Sequence, residues 1–224
     1  VTAFGRSYLV LEGVSSMAEI YLNGDFVGIT QGSHLQAEFD ITDFVVDGVN
    51  RMDVLVLKWC AGSYLEDQDK LRYTGIFRDV YIIHTEKVSV WDFKVTSDER
   101  GFYICVDLIE FDADTLLEIE LDGKSQTFRA EKQIKARFDI DNPKFWSDEV
   151  PNLYSLYITL KKGGTPYEIH SKKIGIISSE IKNGKLLVNG NPVYIKGINR
   201  HEYDCDNGRA ISVEKKKKEL RLIK

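Results

Sequence analysis

Short runs with an apolar residue at every second position fill most of the sequence, and turn residues break them at close intervals. The first of these runs are "SYLVLEGV" (7–14), "AEIYLNGDFVGIT" (18–30), "AEFDITDFV" (37–45) and "RMDVLVLKW" (51–59). Alternation with period two indicates strands that bury one face, and Asn23-Gly24 supplies the positive φ angles of a tight hairpin. Closely spaced strands of this kind predict an antiparallel β-sandwich.

A second set of alternating runs follows "RDVYIIHTE". Its members are "VWDFKVTSD" (90–98), "GFYICVDLIEF" (101–111), "TLLEIELDGKSQTFRA" (115–130), "QIKARFDI" (133–140) and "LYSLYITLKK" (153–162). About five to seven strands over roughly 90 residues match the size of an immunoglobulin-like domain. The three cysteines, Cys60, Cys105 and Cys205, are widely spaced and odd in number. Reduced structural thiols are therefore favoured over a disulfide framework or a zinc site.

The pattern changes from Ile181 onward. "IKNGKLLVNGNPVYIKGI" contains two Asn-Gly turns and then a nearly apolar stretch, 193–198, which we predict to be a buried strand. A polar loop, "NRHEYDCDNGRA", and a predicted helix with Ser212 as its N-cap complete the order of one β/α unit. A complete β/α barrel takes about 250 residues. Only 44 residues follow Glu180, so we expect the chain to stop as a third domain begins.

Composition narrows the class of protein. The chain has 224 residues, of which 43% are hydrophobic and 29% charged, as is typical of a folded domain. The formal net charge of −5, without a basic stripe, argues against a nucleic-acid partner. No apolar run approaches the roughly 18 residues of a membrane span. The first residues read as a strand already under way, so they leave the compartment open.

The polar loop carries the first candidate site. Asn199, Arg200, His201 and Glu202 follow the predicted strand, and in β/α barrels the loops after strand ends build the active site. Such groups could bind sugar hydroxyls or a carboxylate. The alternative is structural: Arg200 and Glu202 would pair with neighbouring residues, and His201 would cap a turn.

The segment "WCAGSYLEDQDKLRYTGIFRD" (59–79) is the second candidate. It places Glu66, Asp67 and Asp69 among aromatic residues, a combination that suits sugar recognition because rings stack on C–H faces while carboxylates accept from hydroxyls. A solvated acidic loop is the alternative. Three isolated histidines are predicted to be surface or turn residues rather than metal ligands: His34, His84 and His170.

Three longer motifs resemble a known family. "GSYLEDQDKLRYTGIFRDVYIIH", "DNPKFWSDEVPNLYSLYITL" and "NGKLLVNGNPVYIKGINRHE" closely resemble the β-galactosidases of glycoside hydrolase family 2, in register from about Tyr8 to Lys224. The resemblance implies a mainly β fold in three parts. These are a sugar-binding jelly-roll sandwich lacking its N-terminal strands (1–86), an immunoglobulin-like β-sandwich (87–178) and the first strand and helix of a catalytic (β/α)8 barrel (179–224).

The resemblance also implies roles for individual residues. Asp69 matches the aspartate that contacts the galactose 6-hydroxyl and an associated sodium ion, and His201 matches the histidine that binds galactosyl hydroxyls. Asn199, beside it, is a further substrate-binding candidate. Both catalytic glutamates and most ligands of the active-site magnesium are expected beyond Lys224. The chain by itself is therefore expected to hold no catalytic residue, to bind neither metal tightly and to be inactive.

For the whole protein, the resemblance implies hydrolysis of terminal non-reducing β-D-galactosyl residues, as in lactose, with retention of configuration. It also implies a homo-oligomer, with the bacterial cytoplasm favoured. Two alternatives stay open: a β-glucuronidase or β-mannosidase of the same family, or a non-catalytic carbohydrate-binding or assembly module. The sibling enzymes resemble Gly-Phe-Gly-x-His-Glu rather than "GINRHE" and lack "LEDQDKLR". One departure from the family is that Lys216 and Lys217 stand where an inward apolar residue is expected.

Overall fold

The computed structural model describes residues 5–66, 72, 74–208 and 210–223. The chain forms two compact units. The first joins Val1–Thr85 to Gly197–Lys224, and the second is Glu86–Lys196. Strands dominate the described residues, which confirms the mainly β prediction.

Two three-stranded antiparallel sheets make up the sandwich of the first unit. One sheet contains β1 (Arg6–Leu11), β5 (Ala37–Asp40) and β8 (Val80–Thr85), with β1 in the centre. The other contains β3 (Met17–Leu22), β4 (Asp25–Gln31) and β6 (Met52–Leu57), with β3 in the centre. The remaining elements are short: β2 (Val14–Ser15), β7 (Gly75–Ile76), a 3-10 turn (Thr42–Phe44) and α1 (Ser63–Glu66).

The core of this sandwich comes from alternate residues of the two central strands. Leu9 and Leu11 of β1 share one buried cluster with Ala18, Ile20 and Leu22 of β3. Side chains two apart lie on the same face of a strand, so the alternation in the sequence places each set on the inner face. Burying a leucine or isoleucine side chain contributes roughly 1.5–3 kcal/mol, which makes these alternating residues the main source of stability here.

The hairpin between β3 and β4 turns at the predicted dipeptide. Asn23 has a φ angle of 57° and Gly24 a φ angle of 93°. Two successive positive φ angles define the turn whose twist matches a two-stranded antiparallel ribbon. The Asn23 side chain also donates to the Phe44 carbonyl oxygen at 2.9 Å and accepts from the Arg51 amide at 2.9 Å. The predicted hairpin is confirmed.

Seven strands in two antiparallel sheets form the sandwich of the second unit. One sheet has the spatial order β13 (Gln133–Asp139), β10 (Gly101–Leu108), β9 (Val90–Asp98). The other has the order β12 (Lys124–Arg129), β11 (Thr115–Leu121), β14 (Tyr154–Lys162), β15 (Thr165–Ile174). Three strands facing four is the arrangement of the immunoglobulin-like sandwich predicted from the strand spacing.

Apolar residues from both sheets fill this second sandwich. Phe102, Ile104 and Val106 of β10 share one buried cluster with Leu117 and Ile119 of β11. Cys105 lies between two of these core residues along β10, is only partly buried and is a free thiol, as are Cys60 and Cys205. The sandwich is therefore held by its apolar core without a disulfide, as predicted.

Two short hairpins follow the second sandwich in the chain and belong to the same compact unit. β16 (Ser179–Lys182), β17 (Lys185–Val188) and β18 (Asn191–Pro192) are joined by the two Asn-Gly turns. The side chain of Asn189 donates to the Trp146 carbonyl oxygen at 2.8 Å and accepts from the Ser178 amide at 3.0 Å. This amide ties the hairpins to the sandwich.

The last part of the chain differs from the prediction in one element. The buried strand predicted over 193–198 does not form in the described residues, and Tyr194, Ile195 and Ile198 are 91%, 86% and 65% exposed. A buried parallel strand takes its backbone hydrogen bonds from neighbouring strands, and within the described residues no strand pairs with this segment.

The final helix agrees with the prediction. α2 (Val213–Ile223) begins at Ser212, whose hydroxyl accepts the Lys215 amide at 3.2 Å and whose carbonyl oxygen accepts the Lys216 amide at 3.0 Å. Serine is a preferred N-cap because its oxygen satisfies an amide of the first turn. Across the part of the chain that the structure describes, neither helix combines the length and the apolar character needed to cross a membrane.

Candidate functional site

The loop before α2 is held to that helix by three ion pairs. Arg200 pairs with Glu219, Glu202 with Lys216 at 2.7 Å, and Asp204 with Lys215. Along α2, Lys215 and Lys216 are adjacent, and Glu219 follows them by four and three residues. This spacing places the three side chains on neighbouring positions of one helix surface. We call this set of three pairs the ion ladder.

The ladder fixes the ionisation of its carboxyl groups. The hydrogen bond from Lys216 lowers the pKa of Glu202, with a further contribution from the nearby Arg200 guanidinium at 3.7 Å. The hydrogen bond from Lys215, joined by the backbone amides of Asn207 and Asp206, lowers the pKa of Asp204 to about 2. Both carboxyl groups are therefore anionic at neutral pH.

Asp204 also belongs to a potential cluster of metal ligands. Ligand atoms of Asp204, Cys205 and Asp206 lie within 4.8 Å of one another. However, Asp204 is already buried against Lys215 and accepts two backbone amides at 2.9 Å. A carboxylate that is satisfied by an ammonium and two N–H groups serves as a turn anchor rather than as a vacant ligand. This cluster does not fit a metal site.

A cavity of about 930 Å³ opens in the first unit, where the loop and α2 meet the sandwich. His201 lies on its wall between two residues of the ladder, and its side chain is exposed. No described residue forms a hydrogen bond with the His201 ring. The lining is Glu12, His34, Phe77, Arg78, Asp79, Arg200, His201, Glu202, Tyr203, Ala210, Ile211, Val213 and Lys216.

The sandwich side of the cavity is built on backbone pairing just after β1. The Glu12 amide donates to the Asp79 carbonyl oxygen at 3.1 Å, and the Phe77 amide donates to the Gly13 carbonyl oxygen at 3.2 Å. A β-carbon on Gly13 would lie 2.9 Å from the Phe77 ring, so the absence of a side chain allows this approach. The segment "GIFRD" (75–79) is thereby fixed beside the end of β1.

Arg78 and His34 complete this side. Arg78 donates to the carbonyl oxygens of Glu12 at 3.4 Å and His34 at 3.2 Å. The His34 ring meets the Phe77 ring edge-on, with centroids 5.5 Å apart. An arginine that binds two backbone carbonyls joins separate parts of the wall, so it acts here as a structural brace.

Family models of three successive domains match nearly the whole chain. "Glycosyl hydrolases family 2, sugar binding domain" matches residues 2–86, "Glycosyl hydrolases family 2" matches 85–176, and "Glycosyl hydrolases family 2, TIM barrel domain" matches 179–224. The chain belongs to glycoside hydrolase family 2.

Two curated relatives give the scale of the similarity. The β-galactosidase of Leuconostoc mesenteroides is 36% identical over 243 aligned residues, which cover 98% of this chain and 23% of that protein. The β-galactosidase of Priestia megaterium is 37% identical over 227 residues, covering 91% of this chain and 22% of that protein. The chain thus spans less than a quarter of the length of these curated relatives.

A solved structure supports the fold of this family 2 chain. The crystal structure of an FMN-binding β-glucuronidase from Faecalibacterium prausnitzii L2-6 aligns with a TM-score of 0.83 at 21% identity. The alignment covers 100% of this chain and 38% of that one. At this identity the similarity concerns the fold alone.

The predicted site residues of this family 2 chain have different outcomes. His201 lies on the cavity wall, whereas Asn199 is exposed and is not among the residues that line the cavity. Asp69 lies outside the described residues, as do Asp67 and Tyr73. The roles of Asp69, His201 and Asn199 in binding stay predictions. The structural alternative holds for Arg200 and Glu202, which pair with residues of α2.

The described part of the acidic and aromatic segment is structural. Glu66 accepts the Ser33 amide at 2.8 Å and its hydroxyl at 2.6 Å, which ties α1 to the turn after β4. The Arg72 guanidinium lies 4.6 Å from the centroid of the Trp59 ring, within the range of a cation–π contact. Within the described residues, only Phe77 to Asp79 of this segment line the cavity.

Two lining residues escaped the prediction. His34 is predicted to be a surface or turn residue, and Glu12 lies in a run interpreted only as a strand, yet both line the same cavity as His201. Both are far from His201 in the sequence, so no local spacing could connect them to it. Of the three motifs that carry the resemblance, "GSYLEDQDKLRYTGIFRDVYIIH" contains Phe77 to Asp79, which line this side of the cavity.

Proposed function

We propose that this chain forms part of a β-galactosidase, a retaining glycoside hydrolase that acts on terminal β-D-galactosyl residues. The observation that carries the proposal is the position of His201 on the wall of a cavity large enough for a sugar. The 36% and 37% identity to two β-galactosidases supports the same activity. Since the chain spans a fraction of those proteins, the activity belongs to the whole protein.

The chemistry of His201 suits a neutral sugar. A neutral imidazole can both donate to and accept from hydroxyl groups, so it can bind a galactosyl ring without exchanging a proton with it. The charges that flank His201, those of Arg200 and Glu202, are paired with residues of α2, whereas no described residue forms a hydrogen bond with the His201 ring. Phe77 also lines the cavity, and aromatic rings are groups against which the C–H bonds of a sugar pack.

Charged residues of both signs line the cavity. Apart from the two histidines, the described lining contains three cations and three carboxylates: Arg78, Arg200, Lys216, Glu12, Asp79 and Glu202. Two of the cations, Arg200 and Lys216, are paired with glutamates. A site for a uronate would need a cation free to pair with the sugar carboxylate. The third cation, Arg78, donates to two backbone carbonyl oxygens and to no described carboxylate. The preference for a galactoside over a glucuronide therefore rests on the identity to two β-galactosidases and not on the charge of this wall.

The acid and base of the reaction are proposed to come from elsewhere in the whole protein. A retaining glycosidase needs one carboxylic acid that donates a proton and one carboxylate about 5–5.5 Å away that attacks the sugar. Glu202 does not suit the role of that acid, because it is paired with Lys216 and its pKa is lowered by that hydrogen bond. We therefore expect the 224 residues alone to be inactive, and we expect magnesium and sodium to be required only by the whole enzyme.

Assembly and compartment follow the same proposal. We expect the whole enzyme to be a homo-oligomer that acts on a small β-galactoside such as lactose, with neither nucleic acid nor membrane as partner. Three free thiols suit a reducing compartment, which supports the bacterial cytoplasm.

The test compares matched substrates. Purified whole protein should release nitrophenol from a nitrophenyl β-galactoside with a much higher kcat/KM than from the corresponding glucuronide or mannoside. The 224-residue chain should show only the buffer rate. Preference for the glucuronide would support the sibling alternative, and galactoside binding without turnover by the whole protein would support the non-catalytic module.

A further inference from the structure

The ion ladder runs in register along the loop that carries His201. Alternate loop residues, 200, 202 and 204, pair with helix residues 219, 216 and 215, so the loop and α2 run in opposite directions along their contact. His201 is thus flanked on both sides by residues tied to the helix. The two neighbours therefore hold the backbone of His201 in position, although no described residue forms a hydrogen bond with its ring.

The three pairs differ in burial, and the difference separates their roles. The side chain of Asp204 is 8% exposed, which makes its pair with Lys215 the anchor of the ladder. Glu202 and Lys216 are 47% and 36% exposed, so this pair lies at the surface of the cavity. A half-exposed ion pair contributes little to stability, because water screens it and two long side chains lose freedom. The same pair can still set the geometry of the site, because that role does not depend on how much the pair contributes to stability.

Lys216 differs in position from the other two helix residues of the ladder. Of Lys215, Lys216 and Glu219, it alone lines the cavity. Its ammonium group fixes the Glu202 carboxylate, one residue after His201, and neutralises that charge at the cavity wall. Without Lys216, Glu202 would keep only its longer contact with Arg200, at 3.7 Å, and its carboxylate would be held less firmly beside the imidazole.

We infer that Lys216 is a positioning residue for sugar binding, which acts through Glu202 to hold His201 in its binding orientation. The inference rests on the proposed function, because it assigns His201 to the sugar. It also accounts for a departure from the family: an apolar residue at this position could pack, but it could not pair with Glu202. Site groups need support of this kind, since small displacements of a binding side chain reduce the rate.

The experiment uses the whole enzyme and three lysine variants. Lys216→Met removes the charge and keeps an apolar side chain of similar length, Lys216→Arg keeps the charge, and Lys218→Met is the matched control on an exposed part of the same helix. We expect Lys216→Met to lower kcat/KM for the nitrophenyl β-galactoside by about tenfold, mainly through kcat, with an unchanged melting temperature. Lys216→Arg should recover most of the loss, and Lys218→Met should behave as wild type.

A double-mutant cycle with His201→Ala decides whether Lys216 acts through His201. If it does, adding Lys216→Met to His201→Ala should cause little further loss, because the positioned group is already absent. Losses that multiply would overturn the inference, as would wild-type kinetics of Lys216→Met in an active enzyme. Absence of galactoside hydrolysis by the wild-type enzyme would instead overturn the proposed function together with the inference that rests on it.

Discussion

The second sandwich and the loop before α2 are stabilised in opposite ways. The sandwich buries alternate apolar residues of two sheets in one cluster, whereas the loop is tied to its helix by three ion pairs, of which the one between Glu202 and Lys216 is the most exposed to water. Apolar burial is strong and insensitive to direction, while ion pairs at a surface are weak and depend on geometry. The comparison shows that one region provides stability and the other provides the position of polar groups.

The largest effect should come from a cavity in the sandwich core. Ile119 of β11 is fully buried, so Ile119→Ala should lower the free energy of unfolding by about 2–5 kcal/mol through lost burial and the space left behind. Leu116→Ala, on the same strand but 37% exposed, is the control and should cost much less. Chemical denaturation measures both variants. Equal losses would mean that the core is not what holds this unit.

A smaller effect is expected at the start of α2. Ser212→Ala removes the hydroxyl that accepts the Lys215 amide and should destabilise the helix by about 0.5–2 kcal/mol. Faster hydrogen exchange over 213–223 would report it, with exchange in the second sandwich unchanged. Ser125→Ala, at an exposed position of β12, is the control. Unchanged exchange in α2 would show that the cap contributes nothing.

Acid should release the ladder without a change of sequence. The pKa of Asp204 lies at about 2, below the ordinary 3.8, so its pair with Lys215 is fully present above about pH 4 and is lost as the pH falls from about 4 towards 2. Exchange in α2 should therefore accelerate over that range. Asp204→Asn should remove this pH dependence and leave fast exchange at every pH. A wild-type profile for Asp204→Asn would assign the transition to other groups.

The smallest effect should come from an isolated surface pair in the second sandwich. Lys124 and Asp141 are 3.9 Å apart, with side chains 64% and 99% exposed. Lys124→Ala should change the unfolding free energy by less than about 0.5 kcal/mol, because the pair is screened by water and salt. A larger loss of unfolding free energy that disappears in high salt would contradict this prediction. Such a result would show that an isolated surface pair can contribute as much as the pairs of the ladder.

The strands could be predicted where alternation and turns coincide. The run predicted over 90–98 is β9, and the Asn-Gly pairs mark the observed turns. β15 was not singled out, because it is an edge strand with mostly exposed residues and a proline, Pro166, and therefore lacks a buried face. The segment 193–198 shows the reverse case: an apolar run becomes a strand only when neighbouring strands supply its hydrogen bonds.

The candidate site could be predicted only in part. His201 was found because it follows an apolar run and belongs to a family motif, whereas Glu12 and His34 are separated from it by more than a hundred residues and carry no motif of their own. The helix residues of the ladder lie in the charge run "EKKKKE" (214–219), a pattern that is typical of a solvated helix face. Which lysine meets which carboxylate depends on how the loop lies on α2, and no local pattern encodes that.

The amide of Asn189 has a consequence for how such proteins exchange their modules. It bonds to Trp146 and Ser178 on the sandwich side, so the hairpins of β16 to β18 remain with the second compact unit, which extends to Lys196. The family model of the barrel begins earlier, at residue 179. A recombination event or an engineered chimaera that joined new sequence at 179 would cut through these two hydrogen bonds. A junction after Lys196 would transfer the hairpins intact with the sandwich that holds them.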